Sequence, residues 1–120
     1  MEEKWVLGRR GEDFTIDYLR SKGFLIAERN WRYWHYEVDI IAVKRGVLHI
    51  VEVKTRQASD NFMEQATLAV NHTKREGLLR AATVYIARTH IAGEVQFDLA
   101  AVEVHLDGTL EMHYVENIMG

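Results

Sequence analysis

Two Val/Ile-rich runs, Tyr36 to Lys44 and Val47 to Arg56, stand either side of Arg45-Gly46, and this arrangement constrains the fold more than any other feature of the chain. β-Branched residues favour strands, and a glycine at a short junction between two such runs favours a tight hairpin. With Arg45 and Gly46 at the tip, Lys44 lies opposite Val47, and counting outward sets Asp39 opposite Glu52. A four-residue loop about the same centre keeps that register, whereas a three-residue loop moves the two acids to different faces. Directly opposed side chains have Cβ atoms about 4.5–5.5 Å apart, and like charges there are destabilising unless something neutralises them. Strand alternation adds Lys54 to the same side as Glu52, with Val51 and Val53 on the other.

A cation between two carboxylates is the natural neutraliser, and the composition narrows its kind. The chain has no cysteine, so disulfides and thiolate sites are excluded and His, Asp and Glu remain as ligands. The six histidines show no metal-ligand spacing along the chain and none is assigned to the metal. Oxygen ligands favour Mg²⁺ or Mn²⁺, which polarise a scissile phosphate and lower the pKa of an attacking water. A lysine beside such an ion can hold the water and offset charge gathering in the transition state, the role that suits Lys54.

The remaining segments supply a frame for this hairpin. Lys4 to Lys22 places Leu7, Gly11, Phe14 and Tyr18 at helical spacing and ends at Gly23, a residue suited to helix termination. Phe24 to Tyr33 reads as a strand, residues 62 to 70 as a separate turn of helix, and Asn71 to Arg88 as a long helix with Asn71 as its cap. Val95, Phe97 and Leu99 alternate in one phase and Val102, Val104 and Leu106 in the other, which predicts a strand with a bulge near Ala100. Asp107-Gly108 then turns the chain into a last strand ending near Val115. The order is αβββαββ, a single α/β domain over residues 1–120.

Net charge is −3, too low in magnitude and of the wrong sign for a protein that coats nucleic acid through bulk charge. Basic residues are nonetheless concentrated with the candidate site: residues 1–60 carry 11 Lys/Arg against 10 Asp/Glu, and residues 61–120 carry 4 against 8. No apolar run approaches the roughly 18 residues that span a bilayer, and the opening Met-Glu-Glu-Lys-Trp lacks the features of a secretory leader. A cytoplasmic protein with no membrane partner is expected.

Asp39 followed by Glu52-Val53-Lys54 resembles the PD-(D/E)xK nuclease signature. The wider pattern is similar to the YraN-type family of endonuclease-like proteins, kin to archaeal Holliday-junction resolvases. It is carried by Gly8-Arg9-Arg10-Gly11-Glu12, Tyr18-Leu19 and Gly23, Arg29-Asn30, Glu37-Val38-Asp39, Val51-Glu52-Val53-Lys54-Thr55-Arg56, Lys74 and Phe97-Asp98. Val38 stands where the signature has proline, and Tyr36 where a glycine usually precedes the acidic strand, which makes the approach to Asp39 bulkier. The resemblance implies a restriction-endonuclease-like mixed sheet of about five strands with flanking helices. It implies metal-dependent hydrolysis of DNA, at branched or structured sites, with Glu12 joining Asp39 and Glu52 as a metal ligand and Lys54 positioning the water. It also implies a two-fold homodimer, because a four-way junction presents two symmetric cleavage points.

Further residues carry two readings each. Arg9 and Arg10 either meet phosphates or decorate the surface, and Thr55 and Arg56 line the site or contact a phosphate. Asp98 reads as a structural acid. The run Arg29 to Tyr36 interleaves cations with Trp31, Tyr33 and Trp34, which suits base stacking, strand packing or a dimer contact. The alternative to an enzyme is a non-catalytic module that keeps the fold to bind nucleic acid or a protein.

Overall fold

The computed structural model describes residues 3–91 and 93–119. Helix α1 (Lys4–Ser21) precedes three strands, β1 (Leu25–Tyr33), β2 (Tyr36–Lys44) and β3 (Val47–Gln57). Helices α2 (Phe62–Leu68) and α3 (His72–Thr89) then lead to β4 (Glu94–Val104) and β5 (Leu110–Val115). The five strands form one mixed sheet in sequence order, antiparallel except for the parallel pair β3–β4 that α2 and α3 connect. This is the expected α/β architecture, with α2 a helix in its own right.

The β2–β3 hairpin turns on Arg45 and Gly46, both at positive φ (52° and 77°), the backbone twist that two-residue hairpins require. Its ladder runs from Lys44–Val47 to Ile40–Val51, in the register read from the sequence. At α3, Asn71 accepts the backbone N–H of Lys74 at 2.9 Å, which satisfies one of the free donors of the first turn and fixes where Lys74 emerges.

Both faces of the sheet are covered. Ile16 and Leu19 of α1 pack on Ile40, Ala42, Val51, Val53, Ala100 and Val102. On the other face, Leu78, Ala81, Ala82 and Tyr85 of α3 meet Val38, Ile41, Leu48, Ile50 and Phe97, while Phe62 and Ala66 of α2 cover Leu99 and Ala101. The expected bulge near Ala100 is absent: β4 stays in unbroken register with β3 from Glu94 to Val104. The apparent change of phase arises because this central strand is apolar on both faces, so alternation carries no signal there.

Helix α1 comes unusually close to β3. A Cβ at Gly11 would lie 1.8 Å from Thr55 Oγ1, so only glycine permits the contact. The approach carries the next residue, Glu12, over the end of the sheet where the chemistry is concentrated. On the opposite face Gly77 leaves room for the ring of Tyr36, whose Cδ1 would lie 2.9 Å from a Cβ there. The bulk expected beside Asp39 is thus absorbed by α3. No helix among the described residues is long and apolar enough to cross a membrane.

A candidate metal centre at a fork in the sheet

Strands β2 and β3 separate one step beyond Ile40–Val51. Val38 joins the core under α3 while Ile40 joins the core under α1, so β2 changes sides at Asp39 instead of alternating through it. The facing residue in the β1–β2 ladder, Asn30, is absent from the paired positions and has φ 53°, a left-handed conformation that Asn tolerates. The two irregularities open a fork, and the Asp39 side chain enters it. Asp39 Oδ2 accepts the backbone N–H of Val53 at 2.8 Å, replacing the ladder bond that the strands no longer make.

The carboxylates therefore do not sit as a simple opposed pair on one face. Asp39 reaches between the strands, and Glu52 projects from β3 toward α3, where its Oε1 meets Lys54 Nζ at 3.3 Å and Lys74 Nζ at 3.1 Å. Glu52 is only 1% exposed, and its second oxygen, Oε2, is buried without a hydrogen-bond partner. Glu12 arrives from α1, 3.6 Å from Arg29 Nε. With its NH₂ turned toward the acids, Asn30 donates to Glu12 Oε1 and Glu37 Oε1 at 3.2 Å each. Glu37 is also held by Arg32 at 2.9 Å.

Burial sets the charge state of this cluster. Desolvation, followed by the neighbouring Glu52 carboxylate, pushes Asp39 up to about 7 despite the bond from Val53 and the presence of Lys74. Glu12 is also raised, by burial first, against the opposing influence of Arg29 and the Asn30 hydrogen bond. For Lys74, burial works against the charge, but Glu52, Asp39 and Glu37 outweigh it and hold the ammonium above its ordinary range. Four acids thus feel one another around a site where Lys54, Lys74, Arg29 and Arg32 supply the opposing charge. Asp39 Oδ1, Glu52 Oε2 and the Glu12 carboxylate are the oxygens suited to a hard divalent ion.

The match to known proteins agrees with the reach of these features. The model of the Uncharacterised protein family UPF0102 matches residues 11–102, a span that begins at Gly11 and contains Glu12, the fork and the β3–β4 pair. The chain belongs to the UPF0102 family. A UPF0102 protein of Bacteroides fragilis is 41% identical over 102 residues, covering 85% of this chain and 83% of that protein. One from Thermodesulfovibrio yellowstonii is 42% identical over 96 residues (80% and 84% covered), and one from Dictyoglomus turgidum is 34% identical over 113 (92% and 94% covered).

In this UPF0102 chain, Glu52 and Lys54 are in contact and Asp39 feels both Glu52 and Glu12, although the three acids are not drawn together as closely as bound ligands, and the residues assigned to phosphate contact divide. Arg9 is exposed and lines a cleft of about 410 Å³ with Trp5, Glu12, Arg29 and Asn30. Arg56 lines a larger one of about 860 Å³ beside Lys54, Glu12 and Gln65. Arg10 instead sends Nη2 to the carbonyl of Gly108 at 3.0 Å, tying α1 to the β4–β5 turn. Thr55, 7% exposed beneath Gly11, lines the same cleft as Lys54, Glu12 and Arg56, with its Oγ1 buried and unpartnered. Trp31 also departs from the surface reading, since it packs edge-on against Tyr85 of α3 at 5.2 Å, whereas Trp34 at the hairpin tip is 79% exposed.

Three members of the site were not assigned from the sequence: Glu37, Lys74 and Asn30. Glu37 stands two positions before Asp39, a spacing that could have suggested it. Lys74 belongs to the family-like pattern, but its role was not legible, because its partner Glu52 is distant in sequence and reaches it only through the packing of α3 on the sheet. Asp98 is the structural acid expected. Fully buried, it accepts from Tyr114 Oη (2.6 Å), Gln96 Nε2 (2.9 Å) and the Asn117 backbone (2.9 Å), and lies 2.6 Å from His49 Nδ1.

Proposed function

We propose that the chain is a metal-dependent DNA endonuclease of the PD-(D/E)xK kind, of the YraN type, acting on branched or otherwise structured DNA. The observation that carries the reading is the Glu52 carboxylate, buried with Oε2 unpartnered beside an Asp39 held near 7. A buried acceptor left unsatisfied costs about 1–3 kcal/mol, more when charged, and a hard cation relieves it. Asp39, Glu52 and Glu12 would hold Mg²⁺ or Mn²⁺, which supplies polarisation of the phosphodiester and a more acidic water.

The chain's own groups do the rest. Lys54 orients the attacking water and offsets negative charge on the phosphate as the bond to the leaving oxygen breaks. Lys74 holds Glu52 in place. Arg9 and Arg56, on the two clefts that flank Glu12, meet the backbone phosphates on either side of the cleaved bond. Preference for structured DNA follows from the likeness to junction resolvases, as does a two-fold dimer that would present two sites to one junction.

A second reading has its own support. Two ammonium groups already lie on Glu52 Oε1, so charge at this acid is partly balanced without any ion, as a non-catalytic nucleic-acid-binding or protein-binding module would need. Incubation of the purified chain with linear, flapped and four-way DNA in Mn²⁺ separates the two. Cutting that requires both Asp39 and Lys54 supports the enzyme. Cutting that survives Asp39→Ala and Lys54→Ala removes the assignment, and DNA binding that ignores EDTA and both carboxylate substitutions favours the module.

A further inference from the structure

The β4–β5 hairpin brings together two Glu-x-His segments, Glu103-Val104-His105 and Glu111-Met112-His113, beside β3, where Glu103 is paired with Arg56. Glu103 lies directly opposite Glu111 in the antiparallel ladder, alternation places His113 on the same face, and His105 follows the end of β4. His113 Nε2 is 2.9 Å from Glu103 Oε1 and 3.4 Å from Glu111 Oε2. His105 Nε2 is 3.0 Å from the other oxygen of that carboxylate, Glu111 Oε1. One ligand atom from each of Glu103, Glu111 and His113 can be chosen so that all lie within 4.8 Å of one another.

We propose that Glu103, Glu111 and His113 form a second metal site, for a borderline divalent ion of the Zn²⁺ class, with His105 orienting Glu111 from outside. Tetrahedral zinc with bonds of about 2.0–2.1 Å to nitrogen and oxygen has its ligand atoms about 3.3 Å apart. His113 Nε2 already approaches that spacing from Glu103 Oε1 and from Glu111 Oε2. Like charges directly opposed across a ladder are destabilising, and one imidazole N–H can serve only one carboxylate well. A dication answers both carboxylates at once. The imidazole ligand favours zinc-like ions over Mg²⁺ at this site. His105, bonded to Glu111 Oε1, leaves Oε2 free to ligate and fixes its direction, as outer partners of metal ligands do.

The test is calorimetric titration of the untagged chain with Zn²⁺ in excess Mg²⁺, repeated on Asp39→Asn so that the fork does not contribute, with Co²⁺ absorption as a report of coordination. One Zn²⁺ per chain is expected, retained in Asp39→Asn, weakened at least 100-fold by His113→Ala and by Glu103→Gln, and weakened about 10- to 100-fold by His105→Ala. Circular dichroism checks that each variant is folded, and Glu103→Gln preserves shape if His113→Ala is not. Zinc binding that is unchanged by Glu103→Gln and His113→Ala, or that disappears in Asp39→Asn, overturns the proposal, as does the lack of any uptake by the parent chain. None of these readings depends on cleavage of DNA.

Discussion

The backbone N–H of Val53 donates to Asp39 Oδ2 at 2.8 Å, so an acid on one strand completes the hydrogen bonding of the strand from which it has parted. The fork stays open because a side chain supplies the acceptor that the missing ladder would have supplied. The same bond holds Asp39 in a buried place beside Glu52, where its carboxyl is pushed up to about 7.

The pH dependence of stability follows from that shift. Unfolded, the Asp39 carboxyl titrates near its ordinary 3.8, and folded it holds its proton up to about 7. Between those limits the folded chain binds more protons, so its stability falls as pH rises through the window and then levels off. Asp39→Asn keeps an acceptor for Val53 and removes the charge. It is expected to be more stable than the parent at pH 8 without metal, by on the order of 2 kcal/mol, with the difference vanishing toward pH 4. Urea denaturation across pH measures this, and a parent curve that is flat from pH 4 to 7 contradicts it.

Lys74 shares Glu52 Oε1 with Lys54. Lys74→Met leaves a buried carboxylate with one cation in place of two, and is expected to cost about 1–2 kcal/mol after allowance for the partial exposure of the lysine. Added Mg²⁺ should restore part of that stability by binding the folded chain alone. Thermal unfolding with and without Mg²⁺ reads both effects, and a variant as stable as the parent in EDTA counts against the ion pair.

Gly11→Ala in a helix interior would ordinarily gain about 1 kcal/mol from helix propensity. Here the added methyl would meet Thr55 Oγ1 at 1.8 Å, and overpacking of this kind costs about 1–3 kcal/mol. A net loss is therefore expected. Thr55→Ala removes the clashing hydroxyl and should return most of it in the double variant. A double-mutant cycle showing no coupling between the two positions would disprove the contact.

The two tryptophans of the β1–β2 hairpin should separate in stability measurements. Trp31→Ala removes a ring packed on Tyr85 and should cost about 3–5 kcal/mol. Trp34 has φ 56° and is 79% exposed, so Trp34→Gly should change stability little, because relief of a left-handed conformation offsets the lost stacking on Tyr33. Comparable losses at both positions would mean that the hairpin tip is covered in solution, and sedimentation of Trp34→Glu against the parent would then show whether a second copy covers it.

Local sequence was enough to specify the strands, the two-residue turn at Arg45-Gly46, the hairpin register and the cap at Asn71. These depend on side-chain period and turn chemistry, which act over a few neighbouring residues. It also placed Glu52 and Lys54 on one side of β3, because alternation is a property of any strand. Packing was needed to establish that Asp39 leaves the ladder, that Lys74 lies on Glu52, that Thr55 is buried under Gly11, and that His113 stands between Glu103 and Glu111. Each of those is set by how helices seat on the sheet or by which strands become neighbours. Such contacts join positions far apart in the chain, where local periodicity has nothing left to say.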